Sequence, residues 1–228
     1  MFPVTKALPT LTSIVDRREA MIEWSRDRRV VHLGCVDQHL LDHRHEQGLL
    51  LHADIVSVAR STIGVDLDAA GLERLGVLVP GDYRVGDVQE LAELQLPLDT
   101  ELVLAPELIE HLPLPGRFLR QLADFLAVSG AEAVITTPNA YDLVNVLRFV
   151  TTRRESVHPD HLLLFSPSTL DKIVSTVGLE VVERHVHRWG GRSTIRKKAK
   201  GLAVSAAMRV NPWIAPGLVW KVRAPGPA

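Results

Sequence analysis

The sequence has 228 residues and a single cysteine, Cys35. One thiol excludes an internal disulfide and a zinc site built from several cysteines. No stretch approaches the ~18 uninterrupted apolar residues that a membrane-spanning helix needs. Charged residues begin at Asp16 without a preceding apolar core of signal-peptide length. We therefore expect a cytoplasmic protein without stable membrane insertion.

An excess of charge of either sign is also missing. Lysine and arginine number 26, aspartate and glutamate number 27, and the formal net charge is -1. Because a protein that binds nucleic acid through its phosphates needs a basic excess, we expect a small-molecule substrate and no nucleic-acid partner. The hydrophobic fraction of 46% and the charged fraction of 23% are ordinary for a globular chain and exclude a disordered one. The length favours one domain, and a homodimer is compatible with it.

Short β-branched runs alternate with amphipathic stretches along the chain, and glycines or acids end several of the runs. This alternation is typical of a parallel α/β sheet, whose ligands bind at the carboxyl ends of the strands. The predicted strands lie at 30–34, 62–66, 82–87, 101–105, 131–137, 179–186 and 218–222. The predicted helices lie at 13–28, 49–61, 69–75, 116–128 and 168–177, the last with Ser168 as its cap.

Five segments stand in an order that points to a known family. They read VVHLGC (30–35), IGVDLDAAGLERL (63–75), GDVQEL (86–91), LVLAPELIEHLPLPGRFLRQL (102–122) and HPDHLLLFSPSTLDKIVSTVGLEVV (158–182). Together they resemble the class I S-adenosylmethionine-dependent methyltransferases over roughly Val30 to Glu183, and the fourth segment is the most specific. The resemblance implies a Rossmann-like, doubly wound, mostly parallel seven-stranded sheet with helices on both faces. It also implies S-adenosylmethionine as cofactor and methyl transfer as activity.

The resemblance places a cofactor site at the ends of the first four predicted strands. Asp66 would accept hydrogen bonds from both ribose hydroxyls, as one carboxylate can. Leu67 would pack on the adenine ring, and Asp87 with Val88 would recognise its amino group. Without a cofactor role, Asp66 would cap the following helix and Asp87 would stabilise a turn. The complete predicted cofactor set is Gly34, Cys35, Asp37, Asp66, Leu67, Asp87, Val88, Pro106 and Glu107.

The first segment departs from the family pattern. His32 stands where the family has an acid, and only Gly34 remains of a glycine-rich loop whose glycines let the backbone approach the cofactor. An insertion at 37–48 also places Asp66 further from Gly34 than the ~20 residues of the related dinucleotide pattern. We interpret the chain as a variant branch, and the rival interpretation is a methyltransferase-fold partner protein without catalysis.

Three histidines are candidates for a catalytic base. Methyl transfer from a sulfonium is a direct displacement, and a hydroxyl acceptor benefits from a base, most often histidine. The candidates are His111, His158 and His161, each of which could instead have only a structural role. We favour His161, because Pro159 restricts the chain before it and the apolar run 162–165 follows it. The expected acceptor is a hydroxyl of a natural product, sugar or quinone; an N- or carboxyl-methyltransferase is the alternative.

Two remaining segments complete the sequence-based predictions. In the insertion, His39 and His43 are spaced to share a helix face, but no cysteine or His-Glu-x-x-His pattern accompanies them, so we predict no metal site. We assign residues 1–228 to one domain, with an N-terminal helical segment at 1–29. A cap or substrate-side insertion is predicted at 187–217, which contains a basic run from Arg192 to Lys200.

Overall fold

The computed structural model describes residues 7–37, 40–188 and 204–226. Eight strands form one sheet: β1 (Ser13–Val15), β2 (Arg29–Leu33), β3 (Ser61–Asp66), β4 (Asp82–Val85), β5 (Leu102–Ala105), β6 (Glu132–Pro138), β7 (Glu180–His187) and β8 (Gly217–Arg223). Their order is β1-β7-β8-β6-β5-β2-β3-β4. All neighbours pair in parallel except β8, which runs antiparallel to both β6 and β7.

Helices connect the strands and cover the sheet. They are α1 (Arg17–Ser25), α2 (Leu41–Glu46), α3 (Leu51–Val58), α4 (Ala69–Leu78), α5 (Pro115–Ser129), α6 (Leu143–Thr152) and α7 (Pro167–Thr176). Short 3-10 helices span Val88–Leu94, Ile109–His111 and Pro212–Ile214, and residues 204–210 are also helical. Among the described residues, none of these helices is long and apolar enough to cross a membrane.

Helices pack on both faces of the sheet, as the sequence predicts. Along β5, Leu102 and Leu104 pack in one buried cluster with Met21 of α1 and Ile55 of α3. Their neighbours Val103 and Ala105 belong to a larger cluster that includes the apolar residues of α5. Successive side chains of a strand point to opposite faces, so β5 is buried on both sides. This burial is typical of a parallel sheet covered by helices.

The strand order creates a crevice between β2 and β5. From β2 the chain adds β3 and β4 on one side of the sheet, whereas β5 and β6 lie on the other side. Ligands of open α/β sheets bind at such a reversal, outside the carboxyl ends of the strands. Gly34 follows β2 and Pro106 follows β5, so both lie at the crevice.

The N-terminal prediction of a helix over 13–28 is partly wrong, and the sheet has eight strands where seven were predicted. Residues Ser13–Val15 form the edge strand β1, paired in parallel with β7. Helix α1 begins only at Arg17, because the Asp16 carboxylate accepts hydrogen bonds from the next free N–H groups.

Other differences concern helix ends and connections. Helix α7 is capped by Ser166 in a reciprocal pair with Thr169, and not by Ser168, since Pro167 already occupies the first helical position. Helices α2 and α6 lie where no helix was predicted. In the predicted cap at 187–217, the basic run lies outside the described residues. The described part after it packs into the larger core through Val204, Met208, Trp213 and Ala215.

Candidate functional site

The turn after β2 requires its glycine. Gly34 has φ +67°, a conformation that other residues rarely adopt, and its N–H donates to the Val65 carbonyl at 2.8 Å. A Cβ at this position would lie 3.2 Å from Leu108 Cδ1, on the loop that follows β5. The two loops that border the crevice are therefore in close contact at Gly34.

Cys35 belongs to the core beside this turn. Its side chain is buried in a cluster with Leu72 and Leu75 of α4, and burial raises the pKa of its thiol. The insertion is anchored to the same cluster through Leu41. Of the predicted cofactor contacts, Cys35 can therefore offer only its main chain.

Asp66 organises the loops around the predicted ribose site. Its Oδ2 accepts a hydrogen bond from Val36 N–H at 2.9 Å, and its Oδ1 accepts one from Asp68 N–H at 3.0 Å. Burial raises the pKa of Asp66, and these backbone donors oppose the shift. The helix-capping role considered for Asp66 belongs to Asp68, which accepts from Gly71 N–H. Leu67, between the two acids, is 71% exposed and free to contact a ligand.

Asp87 has the turn role that was its alternative. Its Oδ1 accepts a hydrogen bond from Gln89 N–H at 2.8 Å, which starts the 3-10 helix. The Gln89 side-chain amide lies 3.2 Å from the other carboxylate oxygen. The Val88 side chain is buried in the larger core, so a cofactor contact by Val88 is restricted to its backbone.

Glu107 is held by residues from three elements. It has a positive φ of 47°, and its N–H donates to Thr136 Oγ1 at 3.0 Å. The Thr136 hydroxyl in turn donates to Glu107 Oε1 at 2.8 Å, and the Arg17 guanidinium lies 2.7 Å from the same oxygen. Burial raises the pKa of Glu107, but the charges of Arg17 and His187 and the Thr136 hydrogen bond outweigh it and lower this pKa overall.

Sequence analysis did not identify Arg17 as a site residue. Arg17 also lowers the pKa of Asp37, which burial raises and which forms an ion pair with Arg44 of the insertion. Arg17 therefore stands near two predicted cofactor residues, Asp37 and Glu107. The available signal was a cluster of charges at the start of a predicted helix, and that pattern does not show which strand end the helix approaches.

His32, in the place of the family's acid, forms a buried pair. Its Nδ1 lies 3.0 Å from Nδ1 of His52 on α3, and the two rings are stacked. Burial lowers the pKa of both imidazoles, that of His52 to about 4, and the His52 charge lowers the pKa of His32 further. One ring must donate and the other accept, so both rings are neutral at pH 7.

The three candidate bases lie together. His111 ends the 3-10 helix after β5, and His158 and His161 lie on the segment that follows α6. One ring nitrogen from each falls within 4.8 Å of the others. The N–H groups of Leu162 and Leu163 donate to the Glu110 carbonyl at 2.9 and 3.2 Å and tie the two segments together. Sequence analysis treated these histidines as alternatives, whereas the structure makes them one cluster.

Glu110 is buried beside this cluster. Burial raises the pKa of its carboxyl to about 8, and the Glu107 charge adds to the shift. Within the described part of the chain, neither carboxylate oxygen has a hydrogen-bond partner, and Thr137 Oγ1 has none either. The sequence shows an acid near a strand end, but its pattern does not reveal this burial.

Comparisons with known proteins agree on one family. A family model described as "Methyltransferase domain" matches residues 11–184. No curated protein sequence gives a significant match. Among solved structures, the chain is similar to a SAM-dependent methyltransferase from Archaeoglobus fulgidus, with 16% identity and a TM-score of 0.53 over 90% of this chain and 94% of that one.

Two further structures have the same fold. The small RNA methyltransferase HEN1 aligns with a TM-score of 0.59 and 18% identity, over 93% of this chain but only 25% of that one. The N-methyltransferase NodS from Bradyrhizobium japonicum aligns with a TM-score of 0.52 and 11% identity, over 92% of this chain and 95% of that one. At such identities these matches establish the fold and leave the acceptor open.

Proposed function

We propose, from the premise that the chain belongs to the methyltransferase domain family as a class I enzyme that uses S-adenosylmethionine, that it methylates a hydroxyl oxygen of a small molecule. The observation that carries this proposal is the cluster of His111, His158 and His161 beside the crevice. A neutral imidazole accepts the proton that a hydroxyl loses when its oxygen takes a methyl group. An amine acceptor has no comparable need, because its neutral form already has a free electron pair.

We assign the cofactor to the loops after β2 to β5. Asp66 would bind the ribose hydroxyls, Leu67 and Asp87 the adenine, and the main chain at Cys35 and Val88 would complete this side. The Gly34 turn, Asp37, Pro106 and Glu107 would surround the methionine part. Arg17 is the cation nearest to that part, and we add it as the partner of the methionine carboxylate. Its present partner is Glu107 Oε1, at 2.7 Å.

The surroundings of the histidines favour an acceptor with an apolar portion. Asn139 and Phe165 form a parallel bridge, so the segment between them leaves and returns at the end of β6. This segment carries exposed apolar side chains on both sides of the histidines in sequence, namely Val146, Leu147, Phe149 and Val150 of α6 and Leu162, Leu163 and Leu164. An aromatic natural product or a quinone could cover such side chains better than a sugar could.

His161 is the residue that we assign to the acceptor proton. Burial lowers the pKa of its imidazole, and the neighbouring His111 and His158 lower it further. The ring is therefore neutral at pH 7, as a base must be. The hydroxyl proton would pass to His161, the oxygen would take the methyl group from the sulfonium, and S-adenosylhomocysteine would leave.

Other acceptors are outcomes of the same test. NodS is an N-methyltransferase and HEN1 a small RNA methyltransferase by description, and a carboxyl acceptor or a non-catalytic partner protein completes the set. The net charge of -1 favours a small molecule over RNA. The homodimer and the cytoplasmic location stay predictions from the sequence.

The test compares matched acceptors. Purified protein with deuterium-labelled S-adenosylmethionine is given phenols and hydroquinones, their amine and carboxylic acid analogues, and a short RNA. Mass spectrometry then locates the label. We expect transfer to hydroxyl oxygen only. Label on nitrogen, carboxyl or RNA would contradict the acceptor, and the absence of cofactor binding by calorimetry would favour the partner-protein interpretation.

A further inference from the structure

The three clustered histidines are arranged as ligands more than as neighbours that bond to one another. The His111 and His161 rings meet edge to face, with centroids 4.6 Å apart and planes at 88°. His158 lies 5.3 Å from His161 and 5.9 Å from His111 by the same measure. Among the residues that the structure describes, no hydrogen bond joins two of these rings. Each neutral ring thus keeps a nitrogen lone pair that no partner ring uses.

We propose that His111, His158 and His161 bind a divalent cation of the zinc class. Imidazole is a preferred ligand of zinc, and catalytic zinc sites combine three protein ligands with one position for water or substrate. Tetrahedral Zn–N bonds of ~2.1 Å place the nitrogens ~3.4 Å apart. The present ring nitrogens lie within 4.8 Å of one another, so a rotation of the side chains is enough to bring them to that spacing.

The backbone holds the histidines together without help from the rings. The Glu110 carbonyl accepts hydrogen bonds from the N–H groups of Leu162 and Leu163, and His161 N–H donates to the His158 carbonyl at 3.1 Å. The segment that carries two ligands is therefore fixed against the segment that carries the third. Ligands positioned in this way lose little conformational entropy when a cation binds.

Carboxylates surround the cluster on the side away from the ring nitrogens of its neighbours. The Asp160 carboxylate lies 3.8 Å from His158 Nδ1, and Asp160 N–H lies 3.3 Å from the same atom. Glu107 is near enough to His161 to favour positive charge there, and Arg17, the guanidinium beside it, is already paired with Glu107. Carboxylates behind ligating histidines orient the rings and strengthen their binding to a metal.

This inference departs from the sequence analysis, which expected no metal, and it replaces the free base at His161. Whether the cation binds does not depend on the proposed function, but its use does. An acceptor hydroxyl bound to the cation would lose its proton to solvent more readily. Its oxygen would then take the methyl group from the sulfonium, and S-adenosylhomocysteine would leave.

The first experiment measures binding without cofactor or acceptor. The full chain, purified without a histidine tag and stripped with a chelator, is titrated with Zn²⁺ by calorimetry and with Co²⁺ by visible absorption. We expect one equivalent of each and a tetrahedral cobalt spectrum. His111→Ala, His158→Ala and His161→Ala should each weaken binding at least tenfold, whereas His45→Ala, on the exposed insertion, should leave it unchanged.

The outcomes separate this proposal from the proposed function. No stoichiometric uptake by a folded protein overturns the site, as does uptake that His45→Ala abolishes and the other three variants keep. Because His158 is exposed, its variant keeps the test valid if the other two fail to fold. With an active acceptor, chelation should lower turnover at least tenfold and one equivalent of Zn²⁺ should restore it. Turnover unaffected by chelation overturns the catalytic use, even if zinc binds.

Discussion

The loops after β2 to β4 and the loops after β5 and β6 treat their polar groups differently. In the first group, the carboxylates of Asp66, Asp68 and Asp87 all accept hydrogen bonds from nearby backbone N–H groups. In the second group, within the described residues, both oxygens of the Glu110 carboxyl and the Thr137 hydroxyl have no partner. Buried polar groups are almost always paired in proteins. The proposed cofactor half is therefore complete by itself, whereas the proposed acceptor half has polar groups that a ligand could satisfy.

The difference suggests how the two halves respond to substitution. A change in the cofactor half removes hydrogen bonds that also shape a loop, so binding and local structure change together. A change in the histidine cluster removes no hydrogen bond between rings, so it should alter chemistry with little effect on folding. The following predictions test this contrast.

The largest effect is expected at His161. His161→Ala should lower turnover by roughly 10²–10⁴-fold, because the acceptor hydroxyl loses the group that activates it. The affinity for S-adenosylmethionine should stay near that of the unsubstituted protein. Steady-state kinetics and calorimetry measure the two effects, with His45→Ala as the control. Near-normal turnover would place the activating group elsewhere.

In the cofactor half, Asp66→Ala should weaken S-adenosylmethionine binding by on the order of 2–4 kcal/mol, since charge-assisted hydrogen bonds to the ribose are lost. Asp66→Asn keeps an acceptor for Val36 N–H and should retain more of the loop structure. Calorimetry on both variants and on Asp82→Ala, an exposed acid at the start of β4, provides the comparison. Unchanged affinity in a folded Asp66→Ala protein would remove Asp66 from the ribose site.

The buried pair of His32 and His52 predicts a loss of stability in acid. The pKa of His52 is lowered to about 4, against ~6.5 in the unfolded chain. The unfolded state therefore binds more protons between these values, and stability falls as the pH drops from about 6.5 to 4. For His52 alone the loss is about 3 kcal/mol. Denaturant unfolding at pH 7 and 5 measures it; His45→Gln should keep this dependence, and an equal stability at both pH values would contradict it.

The smallest effect is expected at the glycine turn. Gly34→Ala should destabilise the protein by roughly 1–2 kcal/mol, because a Cβ at φ +67° is strained and meets Leu108. Gly116→Ala is the matched control, since nothing lies within 4 Å of its Cβ position in α5. We expect that substitution to be neutral or stabilising. Equal melting temperatures for the two variants would show that the turn relaxes.

Local patterns account for what could be predicted correctly from the sequence. The spacing of Phe118, Leu119, Leu122 and Leu126 predicts α5, and all four are buried. The β-branched runs predict the main strands, and the order of segments implies the fold family. The edge strand β1 escaped prediction, because three residues show no clear period and their pairing with β7 joins positions far apart in the chain.

The sequence by itself determined the alternation of strands and helices, the family and the strand ends at which a cofactor site belongs. Only the tertiary structure brought Arg17 to Glu107, paired His32 with His52 and gathered His111, His158 and His161 into one cluster. The physical reason is that periodicity reports which face of an element is buried, a property of neighbouring residues. Contacts between loops depend on strand order and on the path of long connections, which no local pattern contains.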